Sequence, residues 1–393
     1  MGNRSADILV AGHSSLDITP SLGDVRGDLS RLLVPGTLVK IGPATVSTGG
    51  AVLNVGIPLT LLGIPTRLAS KIGDDALGRV ILSILTGYGL EDGMIVVRGQ
   101  DTSYTIVISP PGVDRMFLHH PGANDSFVVA DMLGALDPPP ALVHFGYPPV
   151  MRRMYLDGGK ELVRLLSTVQ QTGAVLTLDT TFPDPSSEAG KQNWHDILAA
   201  ALPHVDAFMP SLEESLFLLD PERFTALDCA SAEELFDRLG PDGVCEVCGT
   251  ILDLGAAIAL VKCGSRGLCV RTGSGEVLAP IARKLGLDLG AWKDRTLHAE
   301  ALDVEVTGTA TGAGDCAVAG FLAAMSRSEG LETAARIACA VGAQAVSEVN
   351  TVDAIRTYEE TLEQLATCAY RPLASAPSGW RHLPVPGLWA PAE

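Results

Sequence analysis

Three features of the sequence predict an α/β fold of three layers, a mostly parallel central sheet with helices on both faces, plus a small β-sheet standing off it. Short apolar runs alternate with segments of helical spacing along most of the chain, the pattern of βα units whose strands are buried on both faces. Hydrophobic residues make up 47% of the 393-residue chain while aromatics are only 5%, and an abundance of Ala, Gly, Leu and Val suits helices packed closely on a sheet. Two pieces of different texture, about 17–48 and 94–123, are rich in β-formers and turn residues and flank the first helix, so they are assigned to the small sheet.

The elements follow in order. ADILVAG (6–12) reads as a buried strand ending in glycine. TGGAVLNVGIPLTLLG (48–63) has helical spacing, and Pro58 within it is expected to remove a hydrogen bond or to kink the helix. RLASKIGDDALGRVILSILTGYGL gives a strand, a turn at Gly73-Asp74-Asp75 and an amphipathic helix closed near 87–89. MIVVRGQDTSYTIVISPPGVDRMFLHHPGAND (94–125) alternates β-formers around a Pro-Pro-Gly turn and reads as an antiparallel hairpin. From about 141 the alternation returns with ALVHFGY, a helix to about 171, AVLTLD, HDILAAALP, AFMPSLEESLFLL, GAAIALVKCG, GLCVRT and LDVEVTG. In open sheets of this kind ligands bind outside the carboxyl ends of the strands. The segment 274–300 is longer than a simple strand connection, which suits either a specificity insert or surface decoration. Residues 1–370 therefore read as one domain with its small sheet, and the Pro-rich stretch 371–393 as a tail without regular structure.

A net charge of −18 argues against a nucleic-acid groove or an anionic membrane surface as the main partner. No stretch approaches the roughly 18 apolar residues of a membrane span, and the first twenty residues lack the long apolar core of an export signal. A cytoplasmic location with reduced cysteines is the expectation. Cys245 and Cys248 form a CxxC followed by Cys263 and Cys269, but the second pair lacks zinc-ribbon spacing and VKCGSRGLCV reads as strand, turn and strand.

The chemistry concentrates in TATGAGDCAVAGF (309–321), a glycine-rich turn running into a small-residue helix with Asp315 inside it. Taken alone, Gly312, Gly314 and Ala317 fit a loose dinucleotide fingerprint, but the turn lies late in the chain and a carboxylate in the cradle would repel a pyrophosphate. Asp315 could instead be only a helix N-cap. The third reading reconciles acid and cradle. If the free amides at 312–315, from Gly312 through Ala313 and Gly314, face a phosphoryl group in transfer, they stabilise its charge, and Asp315 can accept the proton of an attacking hydroxyl.

This segment, TGAGD from Thr311 to Asp315, resembles the carboxy-terminal signature of the PfkB family of carbohydrate kinases, which have the ribokinase-like fold. Other pieces resemble the family in its own order. STGGAVLNVG is similar to its amino-terminal signature, which places Gly49, Gly50 and Asn54 at sugar-binding positions, and Asp17 stands where the family holds substrate hydroxyls. KIGDDALGR and HHPGAND look like its connecting helix and lid. PSLEE (210–214) resembles a P-N-x-x-E segment whose Glu organises magnesium and whose Asn contacts phosphate, which puts Ser211 and Glu214 beside ATP. KCGSRG (262–267), with Lys262, Gly264 and Gly267, looks like the strand and turn lying against the nucleotide. Cys339, in ACAVGA, stands where the family often has an Asn that borders the adenine, a departure that bears on nucleotide preference. The resemblance implies ATP and Mg2+ as cofactors, with Glu214 in the metal's outer shell, a small sugar as substrate, lid closure over it, and a homodimer through the lid.

Departures from the family pattern bear on these expectations. Ser211 replaces an Asn, which shortens its reach to phosphate. Thr309 replaces an Asp that binds a monovalent cation in many members, so potassium activation is not expected. Residue by residue, plainer readings stand beside the functional ones: Asp17 as a loop carboxylate, Gly49-Gly50 as a tight turn, Asn54 satisfying local backbone, Lys262 as a half-exposed strand residue. Glu213 beside Glu214 leaves the register of the functional carboxylate open. His119 and His120 should point to opposite faces, and Arg115 would meet an acidic sugar if it turned inward. A nucleoside kinase of the same superfamily, with Tyr104 and Phe117 against a base, and a non-catalytic sugar- or nucleotide-binding protein are the rival functions.

Overall fold

The computed structural model describes residues 7–23, 34–109, 115–229, 231–307, 311–348, 351–373 and 377–392. Its strands are β1 (Ile8–Gly12), β2 (Ser15–Pro20), β3 (Ala44–Gly49), β4 (Thr66–Gly73), β5 (Met94–Val97), β6 (Tyr104–Ile108), β7 (Met116–His120) and β8 (Leu142–Gly146). Then follow β9 (Val175–Asp179), β10 (Ala207–Phe208), β11 (Ile258–Lys262), β12 (Leu268–Thr272), β13 (Thr296–Ala299), β14 (Trp380–His382) and β15 (Leu388–Pro391). Among the described residues the main sheet runs β14-β15-β13-β12-β11-β10-β9-β8-β1-β4-β5, and the small sheet β3-β2-β6-β7. From β11 through β5 every pairing is parallel, whereas β11 to β14 form an antiparallel wing. Helices cover both faces, over two hydrophobic clusters that share the sheet. The three-layer α/β architecture with a small second sheet expected from the sequence is therefore the one observed.

Burial explains the local choices. β1, β8 and β9 are buried at every residue, which is why they read as continuous apolar runs instead of alternating ones. Between them β1 and β8 end at glycines, and β9 ends at Asp179, so the carboxyl edge of the sheet carries its polar chemistry. The helix Ala51–Leu61 is buried from Ala51 through Leu59 and passes through Pro58. Proline cannot donate to the carbonyl four residues earlier. That carbonyl, on Asn54, is approached instead by the Cys316 thiol at 3.8 Å, so the gap left by Pro58 faces the helix Ala313–Ser326.

Several expectations are corrected. MIVV, assigned with the hairpin, is β5 and lies parallel to β4 at the edge of the main sheet; the small sheet takes only β6 and β7 from that piece. The described part of LDVEVTG, 302–307, contains no strand: the sheet position goes to TLHA (β13), whose last three residues are buried, while 303–307 are largely exposed. The segment 274–300 is neither loose nor decorative. It forms the helices Gly275–Leu285 and Leu289–Trp292 and then β13, with Trp292 only 1% exposed, edge-on to Phe321 and donating from Nε1 to Glu329 O.

The Pro-rich stretch 371–393, expected to lack regular structure, contributes β14 and β15 to the sheet edge. Its prolines do not oppose this, because Pro384 and Pro386 fall in the turn between the strands and Pro391 closes β15, where a missing N–H costs little. Two indoles fasten it: Trp389 Nε1 donates to Glu300 Oε1 at 2.9 Å and Trp380 Nε1 to Asp242 Oδ1 at 2.8 Å.

Candidate active site

The glycine-rich turn meets the sheet's carboxyl edge at Asp315. Gly312 has φ 79° and precedes the helix Ala313–Ser326; a Cβ there would also lie 3.1 Å from Asn54 Nδ2, so both backbone and space select glycine. The first helical bond runs from Cys316 N to Gly312 O, which leaves the amides of Ala313, Gly314 and Asp315 without helical acceptors and pointing outward, an anion cradle. Asp315 is 2% exposed. Its Oδ2 accepts from Asn54 Nδ2 at 3.0 Å and its Oδ1 from the Tyr147 hydroxyl at 2.8 Å. Burial pushes this carboxyl above its ordinary range, opposed by the Lys262 ammonium and then by the two donors.

Lys262 is the partly buried last residue of β11, and its side chain turns inward to an ion pair. Its Nζ lies 2.8 Å from both oxygens of Asp179, with the two side chains 12% and 0% exposed. One ammonium thus faces three carboxyls, those of buried Asp179 and Asp315 and of half-buried Glu214. Burial works against the charge on Lys262, but these three hold it above its ordinary value. Burial raises the Glu214 carboxyl, the Lys262 ammonium opposes that, and Asp179 adds to it. Ser211 caps the helix Leu212–Leu219 and forms a reciprocal box with Glu214: Ser211 N–H donates to Glu214 Oε2 at 2.8 Å, and Glu214 N–H to Ser211 Oγ at 3.2 Å. The box holds Glu214 at the first turn of the helix, and both Glu213 and Glu214 line the cleft.

On the other side of Asp315 lie the residues assigned to sugar. Asp17 is 7% exposed on β2, with Oδ1 accepting from Ser15 Oγ at 3.2 Å. Burial pushes its carboxyl from 3.8 to about 7, against hydrogen bonds from Ser15 and Thr105. Gly49 and Gly50 do more than make a turn: a Cβ on Gly49 would lie 2.2 Å from Asp17 Oδ1, and one on Gly50, at φ 79°, would lie 2.6 Å from His13 Nδ1. His119 is an exposed residue of β7 whose ring turns toward the site, 5.1 Å from that of buried His13. His120 faces out toward Asp101 at 3.9 Å, as strand alternation requires.

A cleft of about 1030 Å³ opens from Asp315 over the later strands. Ser211, Glu214, Lys262, Gly264, Gly267 and Cys339 all line it, together with 312–315. Thr311 flanks it, holding Thr351 Oγ1 through its carbonyl and accepting from Arg115 Nη1 at 2.7 Å. Arg115 therefore turns inward, toward the glycine turn. Thr309 lies outside the described residues. Sequence reasoning missed Tyr147, Asp179 and His13. Asp179 carried a usable signal, a carboxylate closing a buried parallel strand on the ligand side; Tyr147 and His13 carried none, since each follows a strand-ending glycine that any turn would use.

Residues 19–357 match the model of the pfkB family carbohydrate kinase. Over 198 residues the chain is 26% identical to fructokinase-1 of Oryza sativa subsp. japonica, a match covering 49% of this chain and 57% of the rice protein. The ribokinase of Arabidopsis thaliana, solved with ribose and ATP, superposes with a TM-score of 0.66 at 18% identity, covering 91% of this chain and 98% of that one. The fructokinase of Xylella fastidiosa with bound ATP gives 0.66 at 18% identity, covering 92% and 98%. At such identities the two superpositions speak for the fold alone.

Proposed function

The chain belongs to the pfkB family of carbohydrate kinases, and from that premise we propose that it transfers the γ-phosphoryl group of ATP to a hydroxyl of a sugar or sugar derivative. The observation that carries this reading is the position of Asp315: a buried carboxylate at the end of the cleft, beside an outward-facing amide cradle, held by Asn54 and close enough to buried Asp17 for the two charges to act on each other. ATP lies in the cleft over β11 and β12, with its γ-phosphoryl group at the 313–315 amides. The sugar lies on the Asp17 side, where a carboxylate and the Asn54 amide can each bridge neighbouring hydroxyls. Asp315 takes the hydroxyl proton as the oxygen attacks, and the amides stabilise the charge on the transferring group.

Magnesium fits through the nucleotide. No group of three or more His, Cys, Asp or Glu is arranged as a metal cage among the described residues, but the excess of carboxyls over ammonium around Lys262 suits a cation carried on phosphate oxygens. Glu214 would reach it through water. When bound, the ion would neutralise phosphate charge; this chain's own part is to hold phosphate and acceptor in line and to receive the proton.

Two expected results test the sugar side. Gly49→Ala forces a methyl group against Asp17, so KM for the sugar should rise at least about tenfold while the affinity for ATP stays level, as read from initial rates and equilibrium binding. The second concerns pH. Asp17 keeps a proton in the folded protein up to about 7, so KM for the sugar should fall as pH rises through 7 and the carboxylate becomes a full acceptor. The sign for stability is opposite. The folded form holds a proton that the unfolded chain has released above about 3.9, so this group lowers stability as pH climbs from about 4 to about 7 and changes nothing beyond. Asp17→Asn should flatten both profiles. ADP release with ATP and magnesium across pentoses, hexoses, sugar acids and nucleosides tests the reading as a whole; turnover confined to nucleosides would replace it with a nucleoside kinase.

A further inference from the structure

Tyr147 departs from local rules. It follows β8 with φ 69° and ψ 44°, a left-handed conformation unfavourable for a bulky side chain, and Pro148 and Pro149 fix the chain after it. Its N–H donates to Asp179 O at 3.3 Å, and its ring stacks on His13 with centroids 6.1 Å apart and planes 25° apart. The result of this forced turn is one contact, the hydroxyl on Asp315 Oδ1 at 2.8 Å. Asn54 holds the other oxygen.

Resting on the kinase reading above, we propose that Tyr147 is a positioning residue for phosphoryl transfer: its hydroxyl, opposite Asn54, clamps the Asp315 carboxylate so that its remaining lone pairs meet the acceptor hydroxyl. Two donors on one carboxylate fix its plane, which a single donor would leave free to rotate. They also favour the ionised base in a site where burial opposes it. Tyr147 itself stays protonated, because burial and then the charges of Asp315, Asp179 and Glu214 raise its pKa. The other groups facing Asp315 are Lys262 on β11, Asp179 on β9 and Asp17 on β2. None of them is altered by removing the phenolic oxygen.

The test compares wild type with Tyr147→Phe, which keeps the ring on His13. The Asp315 carboxyl is titrated by infrared difference spectroscopy against Asp315→Asn, and kcat and KM are measured across pH. The clamp predicts that the carboxyl's titration and the acid limb of kcat both move up by about one pH unit. Below that limb kcat falls by about tenfold or more, recovering above it, while KM for the sugar moves less than about threefold. A uniform loss at every pH, or kcat unchanged, overturns the inference. The two kinds of failure separate cleanly. An unchanged infrared titration overturns the clamp whatever the wild type turns over, whereas a shifted titration in a wild type that phosphorylates no alcohol overturns the kinase reading on which the role rests.

Discussion

Asp315→Asn should lower kcat on the order of 10²–10⁴-fold while sugar and ATP still bind. The substitution keeps shape and removes only the capacity to accept a proton. Asn54 and Tyr147 donate to the two carboxylate oxygens at 3.0 and 2.8 Å. An amide can satisfy one donor through its oxygen, and the Tyr147 hydroxyl can turn to accept from its nitrogen, so the local network can re-form without a buried orphan. ATP affinity should hold or rise slightly, because a negative charge beside the cradle has been removed. Calorimetry of binding and single-turnover rates separate these effects. A variant that turns over at the wild-type rate would show that the proton goes elsewhere, and that Asp315 is no more than a buried acceptor for Asn54 and Tyr147.

The second large effect is expected at Lys262→Met. Asp179 is wholly buried and held by the ammonium at 2.8 Å through both oxygens, and breaking a buried pair by removing one partner costs about 3–5 kcal/mol. Asp179 can escape part of that cost by taking up a proton. Burial already raises its carboxyl, with Lys262 opposing and Asp315 adding, so the loss in urea unfolding should be smaller at pH 5 than at pH 8. Adding Asp179→Asn removes the orphaned charge and should restore most of the stability. It should not restore nucleotide affinity, because the cation beside Gly314 is still missing; Lys262 carbons lie within 3.6 Å of the Cβ position there. A single variant with wild-type stability at pH 8 would contradict the charged ion pair.

What the sequence revealed and what it concealed divide along a physical line. Glycine positions were legible, because Gly49, Gly50 and Gly312 answer to local backbone and to side chains that must pass close by. The doubly buried strands were legible as apolar runs, and the small-residue helix after Asp315 as a closely packed one. Partners brought together by the fold were not. Asn54 and Tyr147 meet Asp315 across 261 and 168 residues, and Lys262 meets Asp179 across 83, distances at which no periodicity speaks. Lys262 looked half-exposed because a strand-end lysine usually is; only the carboxylate closing β9 makes its inward turn tolerable. The terminal strands were hidden for another reason. Proline density argued against regular structure, yet the prolines fall in the turn and at the strand end, and it is Trp380 and Trp389 that settle the matter through Asp242 and Glu300.

The central claim is that this carboxylate and cradle move a phosphoryl group to an alcohol. Phosphorus-31 NMR of the wild-type protein with ATP, magnesium and the sugar that releases ADP fastest tests it most directly. The γ-phosphate signal should be replaced, one for one, by a phosphomonoester on the sugar, and neither signal should change with Asp315→Asn over the time in which the wild type completes the reaction. Release of inorganic phosphate without a sugar phosphomonoester would contradict it.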